Sequence, residues 1–206
     1  MHLIIASLLV IFSLPSAAAT LLVLGDSISA GYGMDVEKGW VQLLANELEP
    51  EHKVVNGSIS GDTTAGGVYR LPTLLEEYQP DIVIIELGGN DGLRGYPLTR
   101  MKTNLINMIE QTRKAGAEPM LLGILIPPNY GERYADSFAN TYVEVAEQTD
   151  TLLVPLIEKA LLGRKELIQG DGIHPNETAQ PMLMAKVTEG IDKLTSYQAH
   201  LPSISK

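Results

Sequence analysis

Four histidines are spread over the chain, and one of them sits where an imidazole could be put to work. His2 lies in an apolar leader, His52 in a charged turn between Glu51 and Lys53, and His200 in the carboxyl-terminal tail. His174 closes the segment Gly170-Asp171-Gly172-Ile173-His174-Pro175. A carboxylate three residues before an imidazole can reach Nδ1 across a turn, fix the tautomer and leave Nε2 free as a base. Taken alone, the pair is also what a capped turn with a surface histidine looks like. A base needs a nucleophile, and with cysteine absent the leading candidate is serine. Ser27 has the most suitable surroundings: it ends a tight Gly25-Asp26-Ser27 turn after an apolar run and precedes the small residues Ser29, Ala30 and Gly31. A serine so placed stands above a sheet edge, near the positive end of any helical turn that follows. The same three residues are common in ordinary turns.

Acyl transfer through a serine would also need donors for the oxyanion of a tetrahedral intermediate. The segment from Asn56 to Thr63 can supply the backbone N–H of Gly61, where a missing Cβ permits close approach. Asn90 can supply its side-chain amide, with Gly88 and Gly89 letting the loop turn sharply. Local alternatives remain, since Asp62 or Thr63 can cap the next helix and Gly-Gly-Asn-Asp also makes a generic turn. Other chemistries lack their residues. There is no Gly-x-Ser-x-Gly elbow, no phosphate-binding P-loop, no His-Glu-x-x-His helix and no complete dinucleotide loop at Gly31-Tyr32-Gly33. No cofactor and no metal are expected.

The elements that must carry these residues alternate along the chain. Thr20 to Leu24, Lys53 to Asn56, Ile82 to Leu87, Pro119 to Ile126 and Leu152 to Pro155 read as strands. The run from Ile82 is nearly continuous in apolar residues, as in a strand buried on both faces. Trp40, Leu43, Leu44 and Leu48 recur at helical spacing. Further helices are expected over 64–78, with Pro72 interrupting or kinking it, and over 98–114, 137–148 and 176–194. The residues from Gly88 to Gly92 read as a loop, and the tail after Ser196 as loose. Strands alternating with helices give one parallel sheet covered on both faces. Ligands of such sheets bind at the carboxyl ends of the strands, near a switch in strand order. Ser27, Gly61 and Asn90 all follow strands, so they share that edge.

Four blocks in this order, Gly25-Asp26-Ser27-Ile28, Gly61, Gly88-Gly89-Asn90-Asp91 and Asp171-Gly172-Ile173-His174-Pro175, resemble those of the SGNH (GDSL) hydrolase family. The resemblance spans the chain from about Thr20 to the last helix. It is closer still to the bacterial periplasmic members that act as thioesterase, arylesterase and lysophospholipase. It implies a three-layer α/β/α fold with a five-stranded parallel sheet, flavodoxin-like in arrangement. It also implies Ser27 as nucleophile, His174 as base and Asp171 as its orienting partner, with Ser27 N–H, Gly61 N–H and Asn90 as the oxyanion hole. The expected substrates are small acyl esters or thioesters, including lysophospholipids and aryl or short-chain esters. Gly92-Leu93-Arg94-Gly95-Tyr96-Pro97 resembles the loop that covers the acyl chain in those enzymes, and Tyr130 could line the other side. Two other readings remain: a carbohydrate acetylesterase of the same fold, and a non-catalytic lipid- or sugar-binding protein, against which the intact set of polar residues argues.

The whole chain sets outer bounds. Its 206 residues suit one domain. A net charge of −10 is a poor match to phosphate backbones, so no nucleic-acid partner is expected. Residues 1–19 read as a signal peptide and 20–206 as a single hydrolase domain. Leu3 to Leu14 carries no charge, and Ser16-Ala17-Ala18-Ala19 offers small residues for cleavage. The apolar stretch falls short of the roughly 20 residues that span a bilayer, so no membrane anchor is expected. A periplasmic or secreted monomer is the expectation.

Overall fold

The computed structural model describes residues 18–197. The expected signal segment, apart from Ala18 and Ala19, lies outside the described residues, as do His2, His200 and the tail from 198. Five strands, β1 (Thr20–Gly25), β2 (Lys53–Asn56), β3 (Ile82–Glu86), β4 (Glu118–Gly123) and β5 (Leu152–Pro155), form one sheet. Every pairing is parallel and the order is β2-β1-β3-β4-β5. The connection from β1 thus runs outward to β2, and the next strand returns to the other side of β1. The gap between the carboxyl ends of β1 and β3 is the switch point of this order, where open α/β sheets hold their ligands.

Helices cover both faces. On one, α1 (Trp40–Leu48) packs against the terminal helix; on the other, α2 (Thr64–Tyr78) packs on α4 (Leu98–Lys114), and α4 on α5 (Glu132–Thr149). Between them lie the one-turn α3 (Gly89–Leu93) and, after β5, the short α6 (Lys159–Leu162); the terminal helix is α7 (Gln180–Tyr197). The sheet interior is apolar on both faces: Leu21, Leu22, Val23 and Leu24 of β1 and Ile82 through Ile85 of β3 are fully buried. Each such side chain stabilises the fold by about 1.5–3 kcal/mol relative to exposure. Trp40, Phe138 and Tyr142 are the largest side chains wholly inside.

The structure departs from the sequence expectations in several elements; the last helix, expected over 176–194, runs from Gln180 to Tyr197 behind a 3₁₀ turn at Glu177–Ala179. Pro72 does not interrupt α2, which runs unbroken through it; its exposed position leaves the lost backbone hydrogen bond to water. Strand β4 stops at Gly123, whose carbonyl turns to accept Leu156 N–H (2.9 Å) and Ile157 N–H (3.2 Å). Ile124 to Ile126 therefore leave the sheet and become cavity wall. Helix α5 begins at Glu132, ahead of the expected Ser137, and its first turn already sets Tyr134 and Ala135 against the core. The Gly88–Gly92 loop is helical from Gly89.

His52, read as part of a charged turn, is buried and structural: its Nδ1 accepts Ala19 N–H at 3.0 Å. The Ala19 carbonyl accepts Lys53 N–H at 2.8 Å, so the folded domain includes Ala19.

Candidate active site

The nucleophile candidate comes first off the sheet. β1 ends at Gly25, Asp26 is buried, and Ser27 opens a turn closed by Ala30 N–H on Asp26 O (2.9 Å) and Tyr32 N–H on Ser27 O (3.0 Å). Its Oγ lies 2.8 Å from His174 Nε2, and His174 Nδ1 lies 2.6 Å from Asp171 Oδ2. With the imidazole proton on Nδ1, donated to the carboxylate, Nε2 is free to accept from the Ser27 hydroxyl. Asp171 is fixed by its own loop: Oδ1 accepts the N–H of Ile173 (2.9 Å) and of His174 (3.1 Å). Partial burial pushes this carboxyl up, but the hydrogen bonds from His174 and the two backbone amides outweigh it and hold Asp171 below the ordinary aspartate value. The carboxylate therefore stays charged, as a partner for an imidazolium must.

The loop carrying this pair is tied down at its base. Ile168 bridges Pro175, Gln169 N–H donates to His174 O at 2.8 Å, and the Gln169 amide donates to Tyr32 O at 2.8 Å. Tyr32 also lays its ring 4.8 Å from that of His174. Its side is open to solvent, so it shields one face of the imidazole without sealing it.

The other block residues converge on the same point. Gly61 adopts φ +81°, a left-handed conformation that favours glycine, and lines the cavity with Ser27, Asn90 and His174. Asn90 stands in the first turn of α3, where Gly88 supplies a φ of +123°. Its amide is oriented from two sides: Nδ2 donates to Asp26 Oδ2 at 3.0 Å, and Oδ1 is approached at 3.5 Å by Arg94, which also donates to Gly61 O at 3.0 Å. One amide hydrogen of Asn90 is thus engaged, leaving the other to serve a ligand oxygen. Asp91, wholly buried, receives Thr64 N–H (2.8 Å) and Thr64 Oγ–H (2.7 Å) and so fastens α3 to the start of α2.

Beneath this layer lie two buried acids. Burial pushes Asp26 from 3.8 up to about 6, against the lowering effect of its bonds from Ile28 N–H and Asn90. Burial, with the neighbouring Asp26 charge, raises Glu86 well above the ordinary glutamate value. Glu86 Oε2 accepts Ser29 Oγ–H at 2.6 Å and Asp26 N–H at 3.3 Å. A charged residue ending the run Ile82-Val83-Ile84-Ile85 was visible in the sequence, and it marks this support.

The cavity over Ser27 holds about 300 Å³ and is mostly apolar, with Leu93, Ile124, Ile126 and Ile157 on its wall. Leu93 thus lines the cavity. Tyr130 is 40% exposed in a short 3₁₀ turn and is not on this wall; the stretch just before it, Ile126 and Pro127, is. Asp26, Tyr32, Glu86 and Arg94 were not singled out from sequence for the contacts they make. No group of three metal-binding side chains occurs among the described residues.

The GDSL-like lipase/acylhydrolase family matches residues 23–180. The chain is 50% identical over 182 residues to esterase TesA of Pseudomonas aeruginosa, covering 87% of this chain and 90% of that one. It is 41% identical over 184 residues to thioesterase 1/protease 1/lysophospholipase L1 of Escherichia coli, covering 89% and 88%. Among solved structures, the psychrotrophic esterase EstA of Pseudoalteromonas sp., inhibited by monoethylphosphonate, superposes with a TM-score of 0.81 at 41% identity, over 86% of this chain and 99% of the other.

Proposed function

The chain belongs to the GDSL-like lipase/acylhydrolase family, and on that premise we propose that Ser27, His174 and Asp171 hydrolyse small acyl esters and thioesters through an acyl-enzyme. The observation that carries this reading is the unbroken chain of contacts, 2.8 Å from Ser27 Oγ to His174 Nε2 and 2.6 Å from His174 Nδ1 to Asp171. Ser27 Oγ attacks the carbonyl carbon as His174 Nε2 takes its proton. The carbonyl oxygen becomes an oxyanion held by Gly61 N–H, the free amide hydrogen of Asn90 and Ser27 N–H. As the tetrahedral species collapses, His174 gives the proton to the departing alcohol or thiol. Water then repeats both steps, releasing the acid and restoring Ser27. Asp171 remains a carboxylate throughout and stabilises the imidazolium.

The apolar wall next to Ser27 favours an acyl chain over a sugar, with Leu93 contacting it. Esterase, thioesterase and lysophospholipase are the activities by which the relatives are named, and this cavity is compatible with all three. We take the enzyme to act as a monomer exported by its leader. Among the described residues no helix is long and apolar enough to cross a membrane.

Wild type and Ser27→Ala, assayed on p-nitrophenyl acetate and p-nitrophenyl octanoate, test the reading. Turnover that vanishes in the variant supports Ser27 as nucleophile; a variant at the wild-type rate removes it. A preference for octanoate supports the acyl-chain reading, and a steep preference for acetate would put the acetylesterase in its place. Leu93→Ala should lower the octanoate rate relative to acetate, and an unchanged ratio would take Leu93 out of the acyl site.

A further inference from the structure

Arg70 is an arginine of α2 whose side chain is only 16% exposed, and nothing in the chemistry above uses it. Its guanidinium reaches three places at once. Nε donates to Asp62 Oδ2 at 2.7 Å, Nη2 to Gly25 O at 3.1 Å, and Nη1 to Gly57 O. Gly25 is the last residue of β1, two before Ser27. Gly57 follows β2 and opens the segment that leads to Gly61. Asp62 is the residue after Gly61. The two segments are also joined directly, by Ile59 N–H on Gly25 O at 3.1 Å and by Asn56 Nδ2 on Ser29 O at 2.9 Å.

A second feature of α2 serves the same contact. A Cβ on Gly66 would lie 1.8 Å from Asp62 Oδ1, so only glycine leaves the Asp62 carboxylate room to turn toward Arg70. Asp62 Oδ1 also receives Thr63 N–H at 2.8 Å. Glycine in the first turn of a helix forgoes intrinsic helix propensity relative to alanine. Here that concession makes sense as room for the carboxylate.

We infer that Arg70 is a positioning residue: it bolts the nucleophile turn to the Gly61 turn and so sets the spacing between the Ser27 and Gly61 backbone donors. The inference rests on the proposed function, since it presumes that those two N–H groups hold the oxyanion. A planar guanidinium with donors in three directions can bind two carbonyls and a carboxylate together. A lysine ammonium on a flexible stem cannot reproduce that geometry. The expected effect is on the transition state and not on substrate binding, because the acyl cavity wall is built from other elements.

The test uses purified Arg70→Lys and Gly66→Ala, with Ser27→Ala alongside. Arg70→Lys should lower kcat for p-nitrophenyl octanoate at least about tenfold, short of the roughly 10²–10³-fold reached when an oxyanion donor is lost outright, with KM within twofold of wild type. The inhibition constant for octylboronic acid, which forms a tetrahedral adduct, should rise in parallel, while that for octanoate stays level. Gly66→Ala, whose Cβ crowds the Asp62 carboxylate, should lower kcat and raise the boronate constant in the same way, with the octanoate constant again level. A purely structural role would move the melting temperature and leave the ratio of the two inhibition constants alone. Both variants within twofold of wild-type kcat would overturn the inference, and so would equal weakening of octanoate and boronate. An inactive Ser27→Ala beside fully active Arg70→Lys and Gly66→Ala would sink the clamp and spare the nucleophile. An active Ser27→Ala would remove both.

Discussion

The two halves of the site are built differently. The half that would receive the oxyanion stands on strand ends and buried helix starts: Asp26, Glu86 and Asp91 are all sealed from solvent, and each holds a backbone or side-chain donor in place. The half that would move protons is carried on a loop at the surface, with Asp171 36% and His174 17% exposed. The contrast follows from the work each has to do. Donors aimed at a developing charge are effective when they are already fixed and water is excluded. An imidazole that gains and loses a proton twice per cycle benefits from a charged partner and a route to solvent. One half is therefore held by buried carboxyl groups and the other by local turn geometry, with Asp171 receiving two amides of its own loop.

Substitutions should therefore hurt the buried half more. Asn90→Ala removes a preorganised donor and should lower kcat on the order of 10²–10³-fold with little change in KM. Asp171→Asn leaves an imidazole at the edge of solvent, 17% exposed, that water can partly stabilise, so its loss should be smaller, on the order of 10–10²-fold. Measuring kcat for the two variants on one ester at one pH decides the matter; a larger loss in Asp171→Asn would reverse the comparison.

The smallest effect expected is on stability. The carboxyl of Asp26 rises from 3.8 to about 6 on folding, and that of Glu86 is also raised, both chiefly through burial. A carboxyl with a raised folded value keeps its proton in the native state where the unfolded chain has released it. Its contribution is full below about pH 4 and is lost as pH rises through 6 and above. For Asp26 alone this amounts to roughly 2–3 kcal/mol. Glu86→Gln removes one of the two acids, so urea unfolding should show a shallower loss of stability between pH 4 and pH 8 than in wild type. An unchanged slope would mean that the buried pair does not set it.

Much of this was legible in the sequence, for physical reasons that differ by element. Strands buried on both faces are continuous apolar runs, so β3 was readable within a residue. Ser27 and Asn90 stood out because each sits among glycines or turn residues shortly after a strand, and His174 because an aspartate stands three residues before it in a glycine-rich turn. What stayed hidden depends on partners distant in sequence. Tyr32 beside His174, Arg94 on the Gly61 carbonyl and Arg70 between two turns look like ordinary surface residues until the chain is folded. The start of α5 was missed because charged Glu132, Arg133 and Asp136 surround Tyr134 and Ala135, which carry the apolar face of Phe138 and Tyr142 back by one turn. Tyr130 was chosen for its type and its nearness to a Pro-Pro turn, and the chain carries it past the cavity to the surface.

The central claim is that a covalent bond forms at Ser27. Rapid quench of the enzyme with p-nitrophenyl octanoate, followed by peptide mass spectrometry, tests it directly. The account predicts an octanoyl adduct on the peptide containing Ser27, formed with a burst of p-nitrophenol and absent in Ser27→Ala. An adduct on another residue, or steady turnover with no adduct and no burst under conditions where deacylation is made slow, would contradict it.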